Sequence, residues 1–199
     1  MHIYLIRHGQ KQTIAGDPAL TELGWQQAAA TAEHCASLSI QAIWASPLLR
    51  TQQTATVIAQ KLQLSITTDA RLYERANYEG NMPFKTFLGY WRAASQERAY
   101  QPPEGVSSYR AGEQVTELIT DIEAMQQFET VLLVSSGGII TDYLRNTASD
   151  AFLLEHHYHT VERLYDTEVP ECSLTHIVTQ DGASEIVTVC STDHLKNLE

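Results

Sequence analysis

The apolar run Ile3-Tyr4-Leu5-Ile6 leads directly into Arg7-His8-Gly9, and no other stretch of the chain joins so much potential chemistry to so clear a support. A short buried strand holds an imidazole rigidly at the carboxyl end of a sheet. Arg7 supplies a planar fork of donors suited to an oxyanion. Gly9 lets the backbone approach a ligand closely. These residues suit attack by a neutral histidine on a phosphoryl group. Arg50 adds a second cation, early in a helix expected to open at Ser46-Pro47, with serine as cap and proline in the first turn. A cation there opposes the helix dipole, and a bound anion reverses that cost. Glu74 and Glu79 are candidates for protonating a leaving alcohol, and each reads equally well as a solvated loop carboxylate. Ser135 and Ser136 precede Gly137-Gly138, a position that also suits a simple helix cap.

The elements that must position these residues alternate. Strands are expected at 2–6, 42–45, 64–67 and 130–134, and closing antiparallel or edge strands at 173–179 and 186–190. Helices are expected at 21–39, from Ser46 to about Leu62, at about 110–128, at 137–145 and at 151–164. The fold class is α/β: a three-layer sandwich with a mostly parallel central sheet and helices on both faces. Residues 1–199 read as a single domain. Residues 70–108 break the rhythm and read as an irregular insertion covering the site, with an amphipathic stretch at Phe84–Ala94. Arg71, Arg75, Lys85 and Arg92 in it are candidates for a further anionic group of a substrate, or are solvated surface charges.

Bulk properties exclude several classes. Thirteen Lys and Arg against 24 Asp and Glu give a net charge of −11, which speaks against nucleic-acid and membrane partners. No run reaches membrane-spanning length, and the N-terminal apolar run is too short for a signal-peptide core. Cys35, Cys172 and Cys190 are widely spaced and read as buried free thiols, so a cytoplasmic location is expected. His156, His157 and His159 lie on an expected helix without an H-E-x-x-H pattern, so neither metal nor other cofactor is expected. No G-x-x-x-x-G-K-[ST] loop and no G-x-S-x-G elbow occurs.

Taken together, the motifs resemble those of the histidine phosphatase superfamily, the phosphoglycerate-mutase-like group. Arg7-His8-Gly9 matches its signature, and the segments Leu20–Ala28 and Ser46–Ala55 match the next two. Leu72-Tyr73-Glu74 and Glu79-Gly80 resemble the acid-donor region, Thr130–Ile140 the strand and turn of the second histidine, and Cys172–Thr175 the late strand. The resemblance implies that His8 becomes phosphorylated, that Arg7 and Arg50 hold phosphoryl oxygens, and that Glu74 carries the proton. Gly9, Ser136 and Gly137 would complete the phosphate site. Ser136 stands where the family has its second catalytic histidine. The spacing from Glu74 to Glu79 is short for the family, which leaves both as candidate acids. Pro103–Ser107 lacks the family's Gly-Glu-Ser glutamate, and Gln10–Thr13 lacks the asparagine of glycolytic mutases. The expectation is therefore a metal-independent phosphomonoesterase of small phosphorylated substrates, slowed by Ser136. The rival is a catalytically weakened relative that binds phosphorylated ligands or a protein partner.

Overall fold

A computed structural model describes residues 1–155, 169–196 and 198. Its strands are β1 (His2–Arg7), β2 (Ala42–Ala45), β3 (Ile66–Thr68), β4 (Thr130–Ser135), β5 (Leu174–Gln180) and β6 (Ala183–Ser191). They form one sheet ordered β3-β2-β4-β1-β5-β6. The pairs β1–β4, β4–β2 and β2–β3 are parallel, whereas β5 and β6 close the sheet antiparallel. The unbroken apolar run of β4 is explained by its place: it lies between two strands and under helices, and every residue is buried.

Alternation along the central strands divides the core in two. Ile3, Leu5, Val131 and Leu133 face α4 (Ser108–Met125) and α5 (Gly137–Thr147), meeting Val115, Leu118, Ile139 and Tyr143. Ile6, Leu132 and Val134 face α1 (Glu22–Cys35) and α2 (Leu49–Leu62), meeting Ala32, Cys35, Ala55 and Ile58. Helices therefore cover both faces of a mostly parallel sheet. The thiols of Cys35 and Cys172 are pushed up to about 12 by burial, which makes them inert packing groups.

Within residues 70–108 lie a 3₁₀ turn at Ala70–Leu72 and helix α3 (Phe84–Gln96). The last described helix is α6 (Asp150–Glu155). The expected helix 151–164 runs past it, and His156, His157 and His159 fall outside the described residues.

One boundary needs correction. Helix α2 opens at Leu49, with Leu48 at the cap position and no side-chain cap of its own. Ser46 lies too early; its Oγ is 3.5 Å from the Leu48 amide. The cap comes from elsewhere: Asp17 Oδ1 and Oδ2 accept from the Leu49 N–H at 2.9 and 2.8 Å. Leu48 has no side-chain acceptor to offer the first turn, so a distant loop supplies it.

Candidate active site

Parallel pairing of β1 with β4 sets Arg7 opposite Ser135, and the His8 N–H donates to the Ser135 carbonyl at 2.9 Å. The two strand ends thus present His8 and Ser136 at the same edge of the sheet. A cavity of about 690 Å³ opens there; Arg7, His8, Arg50, Glu74 and Gly137 are among its lining residues.

His8 is nearly enclosed, 2% exposed, and both ring nitrogens are engaged. Arg50 Nε lies 3.1 Å from His8 Nε2. A guanidinium only donates, so Nε2 accepts and the ring proton sits on Nδ1. Nδ1 in turn donates to the Gly9 carbonyl at 2.7 Å. Burial first, then the charges of Arg7 and Arg50, hold the imidazole pKa well below its usual 6.5. The ring is neutral near pH 7, with its basic lone pair directed at Arg50.

The cations around it are themselves held. Arg7 donates through Nη1 to the Val169 carbonyl and through Nη2 to Glu171 Oε1, the latter at 3.1 Å. Arg50 Nη2 donates to Asn77 Oδ1 at 3.3 Å, and Nη1 lies 3.6 Å from Asp17. Burial lowers the Arg50 pKa, while Glu74 and Asp17 oppose that shift. Arg7 Nε, Arg50 Nη1 and Ser136 Oγ are buried and have no hydrogen-bond partner among the described residues. Buried donors normally find an acceptor. The two guanidinium nitrogens, on residues that line the cavity with His8, make a donor pair that suits an oxyanion, whereas Ser136 is fully buried and is not among the lining residues.

The acid candidates separate cleanly. Glu74 lines the cavity; its Oε2 accepts from the Gly138 N–H at 3.2 Å and its Oε1 from the Arg75 N–H at 3.1 Å. Glu79 is exposed, accepts from Asn77 Nδ2 at 2.7 Å, and does not line this cavity. Glycine at 138 makes the approach of Glu74 feasible, because a Cβ there would sit 2.4 Å from Glu74 Oε1.

Gly9 is used differently from the ligand contact expected of it. Its N–H donates to Thr54 Oγ1 at 3.0 Å, so no free amide faces a phosphate. A Cβ on Gly9 would lie 2.5 Å from the Gly24 carbonyl. Glycine here lets the loop after β1 lie against the first turn of α1. Gly137, by contrast, lines the cavity at the start of α5.

None of the four cations singled out in the insertion lines the cavity. Arg75 is buried against Asp142 at 2.9 Å, with its guanidinium 3.9 Å above the Trp91 ring. Arg71 pairs with Asp69 and Asp121. Lys85 and Arg92 lie exposed on α3. The cavity's third cation is Lys11, which sequence reading missed. Burial and the neighbouring Arg50 and Arg7 charges lower its pKa, so its ammonium belongs to the same cluster. The partners Asp17, Thr54, Asn77 and Glu171 were also missed. Only the position of Lys11, three residues past His8, offered a local clue.

Residues 3–192 match the family described as Histidine phosphatase superfamily (branch 1). A probable phosphoglycerate mutase GpmB of Salmonella choleraesuis is 43% identical over 81 residues, 37% of this chain and 38% of that protein. The match thus spans well under half of that curated relative. Solved structures resemble nearly the whole chain. A mycobacterial glucosyl-3-phosphoglycerate phosphatase with inorganic phosphate superposes at TM-score 0.73 and 21% identity, covering 97% of this chain and 98% of that one. A phosphoserine phosphatase mutant from Entamoeba histolytica, in complex with phosphoserine, gives 0.71 and 20%, covering 98% of each. At such identities these likenesses establish the fold.

Proposed function

The chain belongs to the histidine phosphatase superfamily, and from that we propose that it is a metal-independent phosphomonoesterase working through a phosphohistidine at His8. The observation that carries this reading is the neutral imidazole lining the cavity, fixed by Gly9 at Nδ1, with Nε2 accepting from Arg50. In the reaction, Arg50 Nε–H turns from His8 Nε2 to a phosphoryl oxygen. Nε2 then attacks phosphorus in line while the bond to the leaving oxygen breaks. Glu74 gives that oxygen a proton and afterwards takes one from the water that hydrolyses the phosphohistidine. Arg7 Nε, Arg50 and the N-terminal turn of α5 hold the phosphoryl oxygens.

Ser136 stands in for the family's second histidine in this reading. Its hydroxyl offers a neutral donor where an imidazolium would offer a charged one. The loss of one such donor costs roughly 10²–10³ in rate. The same unpartnered hydroxyl favours the rival, a weakened relative that binds phosphorylated ligands. Turnover of an aryl phosphate separates them. The expected result is slow hydrolysis indifferent to chelator, with an acid-labile phosphoenzyme, both abolished in His8→Ala. Phosphate binding without turnover by the wild type leaves the binding reading in place.

A further inference from the structure

The lining of the cavity includes two unlike sets of residues. Arg7, His8, Lys11, Arg50 and Glu74 form one. The other is built from Ile14, Tyr78, Phe84, Phe87, Leu88 and Trp91. Four of these six lie on α3 at positions 84, 87, 88 and 91, the spacing of one helix face. An amphipathic helix ordinarily spends that face on the core. Here none of the four belongs to either core cluster, and all four line the cavity instead.

The rings form a continuous wall. Tyr78 lies 5.1 Å from Phe84 and 5.3 Å from Phe87, centroid to centroid, and Phe87 lies 6.1 Å from Trp91. Trp91 is braced from behind by Arg75, whose charge is spent on Asp142. Phe84 remains 54% exposed, a large apolar surface at the cavity's edge. The three cations that line the cavity, Arg7, Lys11 and Arg50, are grouped around His8, and Arg75 against Trp91 is already paired with Asp142. A carboxylate carried on the organic part of a substrate would find no lining cation against the rings.

We propose that the site selects phosphate monoesters whose organic part is a bulky aromatic or apolar group, seated against the wall of α3. The inference rests on the phosphate-site reading given above. The cavity volume of about 690 Å³ lies within the range of sites that enclose small organic ligands.

Binding tests it independently of turnover. Calorimetry compares inorganic phosphate, glycerol phosphate and 1-naphthyl phosphate on the full chain. The expected result is naphthyl phosphate binding roughly 10- to 100-fold tighter than glycerol phosphate, the gain from burying a ring-sized apolar surface. In Phe84→Ala and Phe87→Ala, each checked for a folded spectrum, that ratio falls toward one. Equal affinities for the two esters, with phosphate still bound, overturn the substrate class and leave the phosphate site standing. Tight naphthyl phosphate binding that persists unchanged in Arg50→Ala is adsorption elsewhere and also overturns it. If neither phosphate nor any ester binds, the phosphate-site reading fails and takes the substrate class with it.

Discussion

At the scale of single residues, the site turns on which donors are already committed. Arg50 Nε is spent on His8 Nε2, and Arg7 spends both terminal nitrogens on Val169 and Glu171. Two leftover guanidinium nitrogens, with Lys11 beside them, remain for an anion. Arg50→Ala should therefore weaken inorganic phosphate by about 1.5–3 kcal/mol, the range for a hydrogen bond to a charged group. Unchanged affinity by calorimetry would count against the pocket. Ser136 carries the more demanding prediction. It is fully buried at the cap of α5, and its Oγ has no partner among the described residues. If serine there is a loss, Ser136→His should raise kcat on an aryl phosphate by about 10- to 1000-fold. The lower end allows for neighbours that have closed around a smaller side chain. A folded variant with no gain would mean that the surroundings of residue 136 no longer support an imidazole.

At the scale of elements, three segment ends build the site, and they were not equally readable. The end of β1 was plain, because an apolar run stopping at Arg7-His8 is a local pattern. The start of α5 was equally plain, from the apolar run of β4 meeting Gly137-Gly138. The start of α2 was misplaced, because its cap is not local: Asp17 reaches Leu49 from 32 residues away. The same distance in sequence hid Glu171, which meets Arg7 across 164 residues. Sequence patterns report what a residue's neighbours along the chain require, and so they singled out the histidine and both arginines that line the cavity but not the groups that orient them. The insertion shows the other limit. Its helix α3 was visible as an amphipathic stretch, but periodicity marks an apolar face without saying whether core or cavity receives it. Asp17 is testable at this scale. It caps α2 and sits 3.6 Å from Arg50 Nη1. Asp17→Ala should lower stability by about 0.5–2 kcal/mol, the usual loss of a cap, read as a shifted urea midpoint at constant slope. A midpoint within error of the wild type would show that Pro47 and Leu48 hold the helix start unaided.

At the scale of the whole molecule, burying a neutral histidine ties the candidate site to acid stability. The unfolded chain protonates His8 near its ordinary 6.5, while the folded chain resists until well below that. Below about pH 6.5 the unfolded state therefore binds more protons, and stability falls as pH falls. Each such histidine contributes at most about 1.4 kcal/mol per pH unit. His176 and His194 are shifted downward by burial too and act in the same direction. Asp142 acts the other way. Burial raises its pKa from 3.8 to about 6 against the opposing pull of Arg75, so its folded carboxyl keeps a proton that the unfolded one has lost. Its contribution grows as pH drops from about 6 toward 3.8, offsetting part of the histidine loss there. The clean window is thus between about pH 7.5 and pH 6.5, where the unfolded histidines begin to take up protons and Asp142 is mostly charged in both states. Urea midpoints at matched ionic strength should fall across that window in the wild type. In His8→Asn the fall should be smaller and not absent, since His176 and His194 remain. An identical fall in both proteins would mean that His8 is protonated as readily in the fold as outside it, and the proposed neutral nucleophile would lose its physical basis.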